Sequence, residues 1–390
     1  MWDKALTYPT LREMILEREN SLNFVRLLLA SGVIISHTPY LVLGREAVPA
    51  DNFLQHLYVF GDYAVNGFFC ISGFLIAHSA TRSSLGSYLV KRIARIFPAW
   101  WISILFVIFA GGVIAERTGH LPSGWTWSGA LHYWQQNYDL VDATFSLMAG
   151  PVNVPYEKVW NGSQWSLEFE WFAYLFLIPL MYTPFFRKYL KIISLTVYLS
   201  ITIFYLVGVN YPEFIYDSFG WSMRWFYVNS LMYSLFFAGT VLYAYSDRIR
   251  CIPLLGYGSV ALGLVITWAA YWKIGVQDWT HLLVAYGVLC IGASTLMNVS
   301  IGRKNDISYG IYIYAWPVQQ ILVMCGSVSL GWGLNIVLDF VITAVLAWVS
   351  WKCIEKPALN FARHPMIQGK VGETGHGRND ASDEHHHARV

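Results

Sequence analysis

A few ionisable side chains lie inside long apolar runs of this sequence, where an uncompensated charge is costly. Arg26 and His37 share one such run, eleven residues apart. At about 100° per residue, this spacing puts both side chains on one helix face, about 16 Å apart. An imidazole titrates close to working pH and can therefore act as a general base. A histidine that only bonds a neighbouring helix would show the same pattern, so both interpretations stay open.

A basic cluster lies between two apolar runs and contains Lys91, Arg92 and Arg95. Arg92 and Arg95 are three residues apart and share a helix face. Guanidinium groups pair well with phosphate oxygens, so this face could capture a phosphorylated cytosolic ligand. Basic residues that only set topology, or that bind anionic lipid headgroups, would give the same sequence.

Two acidic residues, Glu168 and Glu170, stand at the start of a later apolar run. They are about 200° apart around a helix, so only one can point into a bundle. A carboxylate in that position could orient His37 and stabilise its protonated form. Glu168 suits an exposed acid at a helix start, which the helix dipole favours. Glu170 is therefore the better candidate for the site.

The elements that must position these residues are membrane-spanning helices. The 390 residues are 56% hydrophobic and only 13% charged, whereas soluble domains carry roughly 25% charged residues. A net charge of +2 gives no reason to expect a nucleic-acid partner. Runs long enough to cross a hydrocarbon core of ~30 Å occur near 24–44, 57–79, 96–115, 164–184, 189–208, 225–245, 253–271, 280–299, 307–326 and 331–352. The predicted fold is an all-α polytopic membrane protein, a bundle of about ten transmembrane helices.

The distribution of basic residues predicts how this bundle is oriented. With ten spans, 21 of the 26 Lys and Arg residues fall on the side of the N-terminus and five on the other side. Loops on the cytoplasmic side of a membrane carry the excess of Lys and Arg. Both termini are therefore predicted to be cytoplasmic, in a multi-pass membrane protein.

The predicted organisation is a cytoplasmic segment over 1–19, a transmembrane domain over 20–357 and a disordered cytoplasmic tail over 358–390. The N-terminal segment lacks the apolar run and cleavage site of a signal peptide. An extracytoplasmic loop at about 116–163 is rich in aromatic residues, which could anchor at lipid headgroups or stack on sugar rings. The five cysteines have no metal-type spacing, and the histidines near the C-terminus are a weak metal signal, so no metal is expected.

Six short motifs, in this order and spacing, resemble the acyltransferase 3 family of bacterial membrane O-acyltransferases over most of residues 20–360. They are Asn23 to Arg26 followed by His37; Phe68 to Phe74; Lys91 to Pro98; Trp165, Ser166 and Leu167 with Glu170; Ser308 to Tyr312; and Glu355, Lys356 and Pro357.

This resemblance implies a location in the bacterial inner membrane. It also implies transfer of an acyl group, usually acetyl from cytosolic acetyl-CoA, to a hydroxyl of a sugar or glycolipid. The implied catalytic residues are the base His37 and the acid Glu170. The implied donor-binding residues are Arg26, Ser72, Gly73, Arg92 and Arg95. Gly73 could allow the close approach of either a neighbouring helix or a narrow pantetheine arm. Direct attack on the thioester and an acyl-histidine intermediate are both compatible with the sequence.

The sequence departs from the family pattern in two places. Many relatives have a histidine in the stretch occupied here by Tyr314, Ala315 and Trp316, and many carry two adjacent acids where Glu170 is followed by Trp171.

A glycan or glycolipid transporter or flippase is the rival class, because intramembrane charges serve transport equally well. The absence of inverted hydropathy repeats counts against it. The intramembrane His and Arg disfavour a third class, a non-catalytic subunit of a polysaccharide assembly machine.

Overall fold

The computed structural model describes residues 8–46, 48, 53–141, 144–213, 223–269, 280–293 and 305–363. Their secondary structure is helical, without a β-strand among them. The helices are α1 (Leu11–Leu16), α2 (Leu22–Leu43), α3 (Phe53–Thr81), α4 (Leu85–Phe106), α5 (Gly112–Thr118), α6 (Trp127–Asn137), α7 (Trp165–Tyr182), α8 (Pro184–Lys188), α9 (Leu190–Asn210), α10 (Met223–Ala244), α11 (Pro253–Ala269), α12 (His281–Ala293), α13 (Ser308–Met324), α14 (Gly331–Ser350) and α15 (Lys356–Ala362).

A helix occupies the described part of each of the ten predicted apolar runs. Six helical segments of the described chain are long and apolar enough to cross a membrane, and these are Leu22–Leu43, Phe60–Thr81, Leu85–Thr118, Leu190–Asn210, Phe226–Ala244 and Ser327–Ala362. The chain is thus an all-α, multi-pass membrane protein, as predicted. The count of ten spans and the cytoplasmic termini stay predictions, and most of the predicted tail lies outside the described residues.

The centre of the bundle is α3, which packs against α2 on one side and α10 on the other. Two glycines allow α3 and α10 to approach each other closely. A β-carbon at Gly73 would lie 1.9 Å from the carbonyl oxygen of Phe236, and one at Gly239 would lie 2.1 Å from that of Cys70. Small residues at a helix crossing let two backbones touch in this way.

Two π-helical turns interrupt the long helical segments. Val107–Gly111 joins α4 to α5, and Trp351–Glu355 joins α14 to α15. Such turns add a residue to one turn of helix and reorient the side chains that follow. The second turn buries Glu355, which points back toward α4, while the next helix, α15, packs beside α4.

The extracytoplasmic loop of the predicted topology packs firmly on α13. The indole nitrogen of Trp316 donates to the carbonyl of Val159 over 3.2 Å, and the Gln320 amide donates to the carbonyls of Tyr156 and Val159, each over 2.8 Å. Trp160 is fully buried beneath this segment. At least this one of the loop aromatics is therefore a core residue, neither a headgroup anchor nor a sugar platform.

Candidate active site

A cavity of about 470 Å³ opens at the end of the bundle that carries Arg26. Its walls come from α2, α3, α4, α7, the segment preceding α13, and the chain from the second π turn to the end of α15. The charged side chains in its lining are the cations Arg26, Arg92, Arg95, Lys356 and Arg363 and the acid Asp306. Five cations around one carboxylate make this cavity suited to an anionic ligand.

Two of the cations are held by carboxylates. Oδ2 of Asp306 accepts hydrogen bonds from Nη1 of Arg26 over 2.9 Å and from Nη2 of Arg95 over 2.8 Å. Oδ1 of Asp306 accepts from the hydroxyl of Ser308 over 2.6 Å. Nη1 of Arg95 also lies 3.8 Å from a carboxylate oxygen of Glu355. Asp306 thus links α2 and α4 to the start of α13 through charged hydrogen bonds, which are the strong ones.

The charge on Asp306 follows from these contacts. Burial alone would raise the pKa of its carboxyl, because the charged form loses hydration, but Arg26 and Arg95 outweigh that effect. Together with the hydrogen bonds at Ser308, they hold the pKa of Asp306 well below its ordinary value. Asp306 is therefore a carboxylate at physiological pH, and it offsets part of the charge of the two arginines.

Arg92 is held differently. Its guanidinium carbon lies 6.0 Å from the ring centre of Tyr88 and 5.6 Å from that of Tyr174, within range of cation–π attraction. It forms no ion pair with a carboxylate of the described residues, and its Nε is buried without a hydrogen-bond partner among them. The ring contacts orient the guanidinium without neutralising it, so its charge is available to an anion.

Glu170 lies beside the cavity wall. One oxygen of its carboxylate accepts hydrogen bonds from the Ser72 hydroxyl over 3.1 Å and from the Tyr174 hydroxyl. Ser72 and Tyr174 both line the cavity. Gly73, the next residue after Ser72, does not line it, because its α-carbon faces the backbone of Phe236. The close approach at Gly73 therefore serves helix packing, and its assignment to the donor site stays a prediction.

His37 lies well away from the cavity, toward the other end of α2. Its ring meets the ring of Trp316 edge to face, with centres 4.8 Å apart, and Trp316 in turn meets Tyr156 of the loop at 5.5 Å. His37 thus lies just behind the loop that packs on α13. His37 is half-buried at that end of the bundle.

The distance between His37 and Glu170 differs from the expectation. The Ser36 side chain meets the backbone at Gly61 of α3. Ser72 lies eleven residues further along that helix, about 16 Å away. Glu170, bonded to Ser72, therefore lies about three helical turns from the level of His37. Glu170 also lies eight residues from Gly162, which packs on Trp316, so the described structure shows no direct contact between His37 and Glu170, and the role of Glu170 in orienting His37 stays a prediction.

Four residues of note were missed in the sequence. Asp306 directly precedes an apolar run, Arg363 lies eleven residues beyond the last one, and the aspartates Asp62 and Asp339 lie within runs. Asp339 is fully buried and accepts a hydrogen bond from Thr343 over 2.9 Å. The rule that singled out His37, that an ionisable residue inside a span needs a reason, applies equally to the two aspartates. Asp306 could have been found next to the Ser308 motif.

Fold and site together define a polytopic helical membrane protein with a cationic cavity at one end of the bundle and a histidine further along it. Comparison of the sequence with known families shows which family the chain belongs to. The sequence model of the acyltransferase 3 family, described as an acyltransferase domain, matches residues 19–352. The chain belongs to this family and is an O-acyltransferase, as the motifs indicated.

Three relatives fit this assignment. The chain is 28% identical to an O-acetyl transferase of Shigella phage Sf6, over 87% of this chain and 96% of that protein. It is 29% identical to nodulation protein 10 of Rhizobium leguminosarum bv. viciae, over 87% and 93% of the two chains. It is 32% identical to acyltransferase MdmB of Streptomyces mycarofaciens over 136 residues, 33% of this chain and 30% of that one. No solved structure matches the chain.

Proposed function

We propose that this enzyme takes an acetyl group from cytosolic acetyl-CoA and transfers it to a hydroxyl of an extracellular or lipid-linked glycan, at the bacterial inner membrane. The observation that carries the proposal is that α2 presents Arg26 to a cationic cavity and His37 near the loop, eleven residues along the same helix face. One relative is named as an O-acetyl transferase, which supports acetyl as the group transferred.

The cavity suits the anionic part of the donor. CoA carries its phosphates at one end and its thioester at the other, joined by the narrow, uncharged pantetheine arm. Arg92 offers a guanidinium that has no carboxylate partner among the described residues. The paired N–H groups of a guanidinium match phosphate oxygens better than the ammonium of a lysine does. With the phosphates near Arg92, the pantetheine arm extends along the inner face of α2 toward His37.

The chemistry then needs only one proton carrier. His37 takes the proton of the acceptor hydroxyl as its oxygen attacks the thioester carbonyl, forming the new C–O bond. The C–S bond breaks, and the CoA thiolate leaves and recovers the proton from His37. If the acetyl group is instead passed through the imidazole, the C–N bond forms as the C–S bond breaks, and the CoA thiolate leaves with the proton of the imidazole. The acceptor oxygen then forms the C–O bond as the C–N bond breaks, and the freed imidazole takes the hydroxyl proton.

Glu170 acts in this scheme as a positioning residue. Its carboxylate holds the Ser72 and Tyr174 hydroxyls, and the ring of Tyr174 in turn lies against Arg92. Loss of the carboxylate would leave two hydroxyls in the cavity wall without their acceptor and loosen the ring that orients Arg92. Glu170 therefore supports donor binding, through Tyr174, rather than the base.

The test is transfer by the purified protein in detergent or nanodiscs. Labelled acetyl-CoA is supplied with a membrane glycan extract, and label in the glycan fraction is followed in the wild type and in His37→Gln. Label that enters glycan only with the wild type supports the proposal. In sealed proteoliposomes, movement of glycan across the membrane without any incorporation of label would instead support the rival transporter. Mass spectrometry of the labelled product identifies the acceptor.

A further inference from the structure

The cations of the cavity fall into two groups that differ in depth. Arg26 and Arg95 are mostly buried, with 17% and 12% of their side chains exposed, and Arg92, one helical turn before Arg95, is also partly buried. Lys356 and Arg363, which lie on and just after α15, are exposed residues. Because all five line one cavity, the second group forms its rim, where a ligand entering from solvent is met first.

The residues that form the rim share one face of a helix. Lys356, Asn360 and Arg363 are spaced by four and three residues, which puts them on one face of α15. All three line the cavity, whereas Phe361, one residue from Asn360, is 69% exposed and lies on a different face. The π turn before α15 buries Glu355 beside Arg95, so the helix that carries the rim is tied to the buried cluster.

Two separate cationic groups match a ligand with two separate anionic groups. CoA has a diphosphate next to the pantetheine arm and an isolated 3′-phosphate on its ribose. The pantetheine arm must point into the bundle if the thioester is to approach His37, which leaves the nucleotide at the mouth. A phosphopantetheine attached to a carrier protein has one phosphodiester only and lacks the second anion.

We propose that Lys356, Asn360 and Arg363 bind the 3′-phosphate of the CoA nucleotide and so restrict the donor to free CoA thioesters. This inference rests on the proposed function, because it assigns a role within the donor site. Lysine and arginine supply the charge, and the Asn360 amide supplies a neutral donor between them. The dianionic phosphate monoester is the strongest acceptor that a nucleotide offers to such a group.

The decisive experiment compares acetyl-CoA with acetyl-dephospho-CoA, which lacks only the 3′-phosphate. The wild type is expected to prefer acetyl-CoA by about tenfold or more in kcat/KM, since charged hydrogen bonds to the phosphate are lost with the other donor. In the double variant Lys356→Ala, Arg363→Ala the two donors should be used almost equally. The matched control is Lys352→Ala, an exposed lysine over the ring of Trp348 that does not line the cavity, and its donor preference should equal that of the wild type.

A binding measurement separates this inference from the proposed function. Adenosine 3′,5′-bisphosphate should bind the purified wild type more tightly than adenosine 5′-monophosphate in calorimetry, and the double variant should lose that difference. Equal use of both donors by the wild type would overturn the rim assignment while leaving acetyl transfer intact. A double variant that keeps the full preference, or that changes only its response to anionic lipid in nanodiscs, would overturn it as well. No transfer from either donor, with the bisphosphate preference intact, would refute the proposed function and retain the rim site.

Discussion

Arg95 and Asp306 lie 211 residues apart in the sequence and are joined by a hydrogen bond of 2.8 Å. Arg92 shares a helix face with Arg95 and also lines the cavity, yet it forms no ion pair in the described part of the chain. One sequence motif therefore contains two arginines with different tasks. Arg95 is held in an ion-pair cluster that joins helices, and Arg92 is the cation that the proposed function assigns to the donor.

Alanine substitutions should separate the two arginines. Arg92→Ala is expected to leave a folded protein whose KM for acetyl-CoA is about 10–100-fold higher, because charged hydrogen bonds to the donor are lost. Arg92→Lys should rescue this only in part, since lysine lacks the fork geometry. Arg95→Ala leaves Asp306 poorly compensated and should cost roughly 3–5 kcal/mol of stability, seen as a lower unfolding midpoint in detergent. An unchanged KM in Arg92→Ala would show that this arginine only sets topology.

The pH dependence of stability should reveal the Asp306 cluster. The pKa of Asp306 is lowered in the folded protein, whereas an unfolded aspartate titrates near 3.9. Its contribution is therefore fully present above about pH 5 and is lost as the pH falls below about 4 toward the folded pKa. Thermal midpoints of the wild type and Asp306→Asn should differ by a constant amount from pH 6 to 8 and converge in acid. A difference that persists unchanged to pH 3 would contradict the assignment.

Gly73 should tolerate no side chain. Its missing β-carbon would lie 1.9 Å from the backbone oxygen of Phe236, and a backbone atom cannot rotate away, so Gly73→Ala must separate α3 from α10. We expect a loss of at least 1–3 kcal/mol and a low yield of folded protein in membranes. Gly86→Ala is the control, because nothing lies within 4 Å of its β-carbon position and alanine favours helix. Equal yields of the two variants would refute the packing role.

Hydrophobic run length predicted the helices well. A run of about 20 apolar residues has few alternatives in a membrane, because only a helix satisfies every backbone polar group in lipid. The π turns at Val107–Gly111 and Trp351–Glu355 were not predictable, since hydropathy does not register one extra residue in a turn. The second of them decides where α15 lies, and so the rim of the cavity was missed although Lys356 stood in a recognised motif.

The site was only partly predictable for the same physical reason. The helical period placed Arg26 and His37 on one face. It does not predict which residues of neighbouring helices lie level with either of them along the bundle. Glu170 was paired with His37 only because a carboxylate can orient a histidine. Its hydrogen bond to Ser72 fixes its position along the bundle, and the antiparallel packing of α2 and α3 places Ser72 far from the level of His37. Asp306 lies 280 residues from Arg26, and no local pattern connects them.

Topology can be tested with two tyrosines of similar exposure. Tyr138 is 45% exposed and Tyr189 is 41% exposed, so a difference in reactivity reports the side of the membrane rather than burial. Tyr138→Cys and Tyr189→Cys are introduced after the exposed native residues Cys325 and Cys353 are changed to serine. An impermeant maleimide should label the first variant in intact cells and the second only after permeabilisation. Similar labelling of both in intact cells would overturn the ten-span orientation.

His37 should be indispensable for transfer but not for folding or donor binding. Its ring packs edge-on against Trp316, a contact that His37→Gln keeps in approximate shape while removing proton transfer near neutral pH. We expect this variant to be present in membranes at normal yield, to bind adenosine 3′,5′-bisphosphate as the wild type does, and to lose about 10²–10⁴-fold in kcat. A larger loss would favour the acyl-histidine route, in which the imidazole itself carries the acetyl group. His132→Gln, an exposed histidine on α6, is the control and should retain full activity. Near-normal transfer by His37→Gln would show that this histidine is a packing residue and that the base lies elsewhere.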